Sequence, residues 1–452
     1  MKIDPWSSAQ STDYSGIITQ FGLKKMELEK ISNPSMLHRR GIVFAHRDFE
    51  RIRKAQINGD PFGVLTGLMP SGKMHLGHKM VIDQVRWFQE NGGDVTIAVA
   101  DLEAHATRGY SLQKCRDYAL DEYVANYVAM GLKPENTSIY FQSERSIVQK
   151  LGFSLGKKTN LSEFESIYGF VGETNLAHVQ APLVQAGDIL HPMLDDYGGI
   201  RPIVVPVGVD QDPHLRLCRD LVTRSNWFNI KDRKNGGLII GLSVQDENSE
   251  AMGLDQNGRV DREKRKNLIN KINSAISDLG FSDILSNPKH GTVEIPSATN
   301  SDKDSIRIKL LHIERDMGGL GLLQPSSTYH RFAMGLTGEK MSSSKPNTTI
   351  FLSDSIDVVE KKIKSAYSGG RSTVEEHREK GGNPEVDVAY QYLMFFFEEN
   401  DDALRELNQK YRSGEILAGE MKQICIDAAK SWFAEHNELK DQNAHLAEMF
   451  LD

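Results

Sequence analysis

The sequence predicts an α/β fold around a doubly wound parallel sheet, and three observations carry that expectation. Short apolar, β-rich runs alternate with helix-period segments from residue 61 onward. The helical segments are long enough to return the chain for a parallel neighbour. A glycine-rich turn stands where the first of these strands gives way to a helix.

The elements follow in order. "PFGVLTGL" (61–68) reads as a buried strand, and "HKMVIDQVRWFQEN" (78–91) as a helix with Val81, Ile82, Val85 and Phe88 on one face. "GGDVTIAVAD" (92–101) is a turn and a second strand. "SLQKCRDYALDEYVANYVAMGL" (111–132) is helical with Ser111 as its N-cap, and "TSIYFQSE" (137–144) is a third strand. Residues 145–200 read as mostly helical, and "IRPIVVPVGVDQD" (200–212) returns to a buried strand. Residues 231–320 are rich in Gly, Asn and Ser around one amphipathic helix marked by Leu268, Ile269, Ile272, Ile276 and Leu279, and read as an insertion. "GLTGEKMSSSKPNTTIFLSD" (335–354) reads as a loop, and the chain is helical from 355 onward.

Bulk properties narrow the function. The 452 residues exceed one core and suggest two or three domains. Three are expected: a 1–60 extension packing on the catalytic unit, the catalytic unit at 61–354, and a helical unit at 355–452. With 39% hydrophobic and 26% charged residues the chain is an ordinary globular protein, and no apolar run is long enough to span a bilayer. No secretory leader is read at the N-terminus, so a cytoplasmic location without membrane attachment is expected. The formal charge of −8 argues against a general polyanion binder such as a DNA-coating protein. Cys115, Cys218 and Cys425 form no CxxC pair, and no HExxH spacing occurs, so no protein-only metal site is expected.

The chemistry should sit where strand 61–68 turns into the next helix, because ligands of open parallel sheets bind outside the carboxyl strand ends. "MPSGKMHLGHKMV" (69–81) places His75 and His78 there, with Gly67, Gly72 and Gly77 allowing close backbone approach. The helix N-terminus offers free amides and a positive dipole end, and the two imidazoles add donors that can be neutral or cationic near pH 7. These parts suit the charge that grows when phosphorus is attacked. Downstream, "GEKMSSSKP" (338–346) offers Lys340, Lys345 and three hydroxyls to a triphosphate.

"HLGH" followed far downstream by "KMSSS" resembles the HIGH and KMSKS signatures of class I aminoacyl-tRNA synthetases. "VPVGVDQDPHLRLCRD" (205–220) is similar to a segment of the tryptophanyl-tRNA synthetases. "PWSSAQSTDYSGI", "LHRRGIVFAHRD", "IYGFVGETN", "VEEHREKGGNPEVDVAYQYL" and "YRSGEILAGEMKQIC" resemble their archaeal and eukaryotic branch. The resemblance implies a Rossmann-like catalytic domain with a C-terminal α-helical anticodon-binding domain, in a homodimer. It implies activation of L-tryptophan with ATP and Mg²⁺ and transfer to tRNA(Trp). The metal would come with ATP. The alternatives are a tyrosyl-tRNA synthetase, a shorter HxGH nucleotidyltransferase or a non-catalytic paralogue.

The resemblance also assigns residues. Catalytic roles fall on His75, His78, Lys340, Ser342, Ser343, Ser344 and Lys345. Ser343 stands where the motif has its second lysine, and Lys345 is the nearest substitute. ATP contacts fall on Gly67, Pro70, Ser71, Gly72, Gly77, His78 and Met341. Tryptophan contacts fall on Leu65, Glu103, Gln185, Asp188 and Gln211, with Glu103 holding the ammonium. Leu65 and Ala98 occupy positions where the eukaryotic branch has polar groups against the indole. Asp188 is the expected acceptor for the indole N–H, because "PLVQAGDIL" resembles a segment of the bacterial branch whose aspartate accepts that bond, and the basic segment 360–371 is a candidate tRNA contact.

Overall fold

The computed structural model describes residues 14–452, apart from Ser71, Lys340 and residues 342–344. Its eleven strands are β1 (Lys24–Lys25), β2 (Val43–Arg47), β3 (Phe62–Leu68), β4 (Gly93–Val99), β5 (Thr137–Phe141), β6 (Ile203–Gly208), β7 (Phe228–Asp232), β8 (Leu238–Leu242), β9 (Leu285–Asn287), β10 (Thr292–Ile295) and β11 (Ser326–His330). The main sheet runs β1-β2-β11-β6-β3-β4-β5. Its β11-β6-β3-β4-β5 portion is parallel, and β2 and β1 add antiparallel at one edge. Residues 14–60, read from sequence as an extension, thus contribute two strands to the same sheet.

Period-two alternation divides the core. On β3, Val64 packs in a cluster with Val95, Ile97, Met80 and Phe88 of helix Leu76–Glu90. Its neighbour Leu65 packs in a second cluster with Ile203, Val205, Ile189 and Leu217. The helices Leu176–Leu190 and Asp212–Ser225 contribute to this second cluster. Helix Leu176–Leu190 lies against helix Ser146–Gly156 at glycines: a Cβ at Gly187 would stand 2.3 Å from the Val148 carbonyl oxygen. That close approach seats the neighbouring Asp188 in the interior.

The chain runs β3, β4, β5 outward, then crosses back to place β6 on the other side of β3. This reversal is the switch point of a doubly wound sheet. Strands β3 and β6 pair only at Gly63–Ile203 and Val64–Val204, so they part before their carboxyl ends. The parted ends leave room for a ligand.

Residues 228–316 form a unit that the sequence reading did not resolve into strands. An antiparallel β7-β8-β10-β9 sheet packs with helices Arg262–Ser277 and Lys303–Asp316 around Ile240, Ile272, Val293 and Leu310. Leu268, Ile269, Ile272 and Ile276 face that core, as the periodicity indicates, and Asp261 caps the first helix. Helices follow from Ile356 to Gln442. No helix among the described residues is long and apolar enough to cross a membrane.

Candidate active site

A cavity of about 400 Å³ opens where β3 and β6 part. Leu65 and Gly67 of β3, Ala98 of β4 and Val205 and Val207 of β6 supply strand walls, and Gln185, Asp188 and Ile189 reach in from helix Leu176–Leu190. Glu103, at the start of helix Asp101–Arg108, and Gln211, before helix Asp212–Ser225, line it too. Leu65, Gly67, Glu103, Gln185, Asp188 and Gln211 were all expected from sequence, and the fold brings them to one cavity. Sequence reasoning missed Gln142, Arg108, Thr66 and His214, which also line it.

The electrostatics of the cavity centre on two carboxyls. Asp188 is buried, and it accepts hydrogen bonds from the Tyr140 hydroxyl at 2.6 Å and the Gln142 amide at 2.5 Å. Burial pushes its carboxyl up to about 7, against the opposing pull of those two donors. Burial also pushes Glu103 up to about 7, with nearby Arg108 opposing. Both groups are therefore poised to gain from a bound cation.

The histidine turn borders this cavity, because Val81 of its helix lines the wall. His75 is the N-cap of helix Leu76–Glu90. Its Nδ1 accepts from the Gly77 amide at 3.1 Å, and His78 Nδ1 accepts from the His75 amide at 3.1 Å. The rings lie tilted at 31° with centroids 3.9 Å apart. These bonds assign the ring protons to Nε2 on both residues. Gly77 is required here, since a Cβ would lie 2.8 Å from His75 Cε1.

Two expectations change at this turn. The first helix amides are not free for phosphate: Leu76 donates to the Ile350 carbonyl, Gly77 to His75 Nδ1 and His78 to the His75 carbonyl. The motif spends its first donors on its own cap. Nor is His78 a group balanced between neutral and cationic near pH 7, because burial holds its imidazolium down to about 4.

The second motif is anchored to the first. Met74 and Leu76 exchange backbone bonds with Leu352 and Ile350, and His75 bridges Phe351. Met341 Sδ (its thioether sulfur) would lie 3.7 Å from a Cβ at Gly77. Lys345 is exposed, and its carbonyl accepts from both the amide and hydroxyl of Thr348, ending the loop in a turn. Pro70 and Gly72 lie in the segment between β3 and the histidine helix. Ser71, Lys340 and Ser342, Ser343 and Ser344 lie outside the described residues.

A larger crevice, about 740 Å³, separates helix Leu76–Glu90 from helix Ala418–Gln442. It is lined by none of the residues assigned to ATP, tryptophan or catalysis. The segment 360–371 is less free than its charge suggests: Lys362 pairs with Asp354 at 2.6 Å and Lys364 with Glu360 at 2.5 Å. Among the described residues no group of three His, Cys, Asp or Glu side chains could hold a metal ion.

A doubly wound sheet with a histidine-capped helix at its switch point, and a loop tied to that cap, defines a Rossmann-like catalytic unit of the class I synthetase kind. The family model described as tRNA synthetases class I (W and Y) matches residues 58–279 and 303–434. A Methanosarcina acetivorans protein named tryptophan–tRNA ligase is 40% identical over 97% of this chain and 96% of its own length. One of the same name from Archaeoglobus fulgidus is 38% identical over 97% of both chains. The crystal structure of tryptophanyl-tRNA synthetase from Aeropyrum pernix superposes with a TM-score of 0.72 at 34% identity, covering 99% of each chain. The chain belongs to the class I tRNA synthetases of the W and Y family.

Proposed function

We propose that this protein is a tryptophan–tRNA ligase: it activates L-tryptophan with ATP and transfers the tryptophanyl group to tRNA(Trp). The observation that carries the reading is one cavity at the switch point that joins apolar walls to polar side chains, among them Glu103, Gln142, Gln185, Asp188 and Gln211. An indole needs mostly apolar wall with one acceptor, and an α-amino group needs an anion. Full-length relatives named for this activity support the same substrate.

In activation, a carboxylate oxygen of tryptophan attacks the α-phosphorus of ATP. A new P–O bond forms, and the bond to pyrophosphate breaks with its electron pair. Glu103 holds the substrate ammonium, so the carboxylate is presented in line. His75 and His78 carry their protons on Nε2 and act as neutral donors to the developing phosphoryl charge. Lys340 and Lys345 neutralise the departing pyrophosphate while Ser342, Ser343 and Ser344 donate hydrogen bonds to it, and Gly67, Pro70, Ser71, Gly72, Gly77 and Met341 cradle the nucleotide. Mg²⁺, when bound, would come with the triphosphate and supply charge neutralisation to its oxygens. A terminal ribose hydroxyl of tRNA then attacks the tryptophanyl carbonyl and AMP leaves.

The reading carries a cytoplasmic homodimer whose helices from 356 to 442 read the anticodon. Four large apolar side chains exposed within one stretch, Phe153, Leu161, Val171 and Leu176, support a covering partner there. Charging tests the whole reaction. Labelled tryptophan should become acid-precipitable with tRNA(Trp) and ATP, and labelled tyrosine should not. Charging by tyrosine alone would replace this reading.

A further inference from the structure

Among the described residues that line the cavity, Gln142 is the one polar side chain with a buried acceptor that has nothing to accept. It sits just past β5, two residues after Tyr140, so both side chains leave the same face and both reach Asp188. Its Nε2 donates to Asp188 Oδ2, while Tyr140 occupies Oδ1. In that bond the NH₂ faces the carboxylate, so Oε1 faces the other way. The side chain is 2% exposed, and Oε1 is buried without a hydrogen-bond partner. Native proteins rarely leave such an acceptor unpaired, and because Gln142 lines the ligand cavity, a donor on the ligand is the partner that would satisfy it.

We infer that Gln142 Oε1 accepts the indole N–H of the bound amino acid, and that Asp188 acts on specificity by holding the Gln142 amide in that orientation. This rests on the tryptophan reading above and refines it. The acceptor role expected of Asp188 passes to Gln142, because each Asp188 oxygen already receives a donor from the protein. Leu65 and Ala98, apolar in the same cavity, offer the indole no polar side chain at their own positions. Phenylalanine brings no donor, so it would leave Oε1 buried and unpaired.

The test compares L-tryptophan with 3-(3-benzothienyl)-L-alanine, in which sulfur replaces the N–H, by pyrophosphate exchange in wild type and in Gln142→Met. Wild type should prefer tryptophan. Gln142→Met should cut the ratio of the two kcat/KM values by on the order of tenfold to a hundredfold. The loss should come from tryptophan, with the analogue not weakened and KM for ATP unchanged. An unchanged ratio in a folded Gln142→Met overturns the assignment. Absence of tryptophan-dependent exchange in wild type overturns the functional reading itself, so the two failures are distinct. If Gln142→Met does not fold, a wild-type crystal structure with tryptophan decides: indole nitrogen on Gln142 Oε1 supports the inference, and indole nitrogen on Asp188 overturns it.

Discussion

Tyr140 on β5 donates its hydroxyl to Asp188 on helix Leu176–Leu190 across 2.6 Å, joining a strand end to the helix that walls the cavity. Asp188→Ala removes the acceptor for two buried donors at once. Each donor left unpaired costs roughly 1–3 kcal/mol, so the variant should melt well below wild type. In pyrophosphate exchange it should raise KM for tryptophan and relax discrimination against phenylalanine, with KM for ATP little changed. A variant as stable and as selective as wild type would remove Asp188 from the account.

The raised carboxyls make both stability and binding depend on pH. Glu103 and Asp188 ionise near 7 in the folded protein because of burial, but near their ordinary values when unfolded. Between those values the unfolded chain binds fewer protons than the native one, so stability falls as pH rises toward 7. Glu103→Gln should flatten part of that fall, read by urea denaturation at pH 5 and pH 8. Tryptophan affinity should run the other way. The ammonium prefers ionised Glu103, so Kd should fall as pH rises from 6 to about 7 and then level off. Glu103→Gln should weaken binding and lose that slope.

His75 serves a cap and a reaction, and two substitutions separate these roles. Asn is also a good N-cap, so His75→Asn should keep the stability that His75→Ala lowers by about 1 kcal/mol, read by urea denaturation. Both should slow activation by on the order of 10²–10³, the usual cost of one transition-state donor, with ATP affinity changed much less. Full activity in His75→Asn would make the residue a cap alone. His78→Ala should slow activation similarly. No inflection from His78 should appear in wild type between pH 6 and 8, since its burial keeps it neutral there.

Apolar runs made β3, β4, β5 and β6 legible, and with them the switch point. Strand β11 was not legible because its buried residues are polar. Ser326 donates to the Asp48 carbonyl, Ser327 to Tyr329 and Tyr329 to Asp212, so its interior is paid in hydrogen bonds that no hydropathy pattern records. Strand β2 needs that same network, since Arg47 binds Asp212 at 3.0 Å. Strands β7 to β10 are short, and lie among glycine-rich turns that read as loop. At the site, resemblance supplied Leu65, Glu103, Gln185, Asp188 and Gln211. Gln142 escaped because a glutamine just past a strand means nothing until Asp188 of a distant helix is seen to orient it.

Lys345 stands two places beyond the residue that carries the motif's second lysine, and it is exposed. Loop closure over the triphosphate should bring it to the leaving phosphates. Lys345→Ala should slow activation while leaving tryptophan affinity within about twofold. Normal pyrophosphate exchange with impaired charging would instead make it a tRNA contact.

The central claim is that the cavity between β3 and β6 activates tryptophan. Amino-acid-dependent exchange of labelled pyrophosphate into ATP, run on the wild-type protein with tryptophan, with tyrosine and with neither, tests it most directly. The account predicts exchange with tryptophan and background with the other two. Exchange driven by tyrosine, or background in all three, would contradict it.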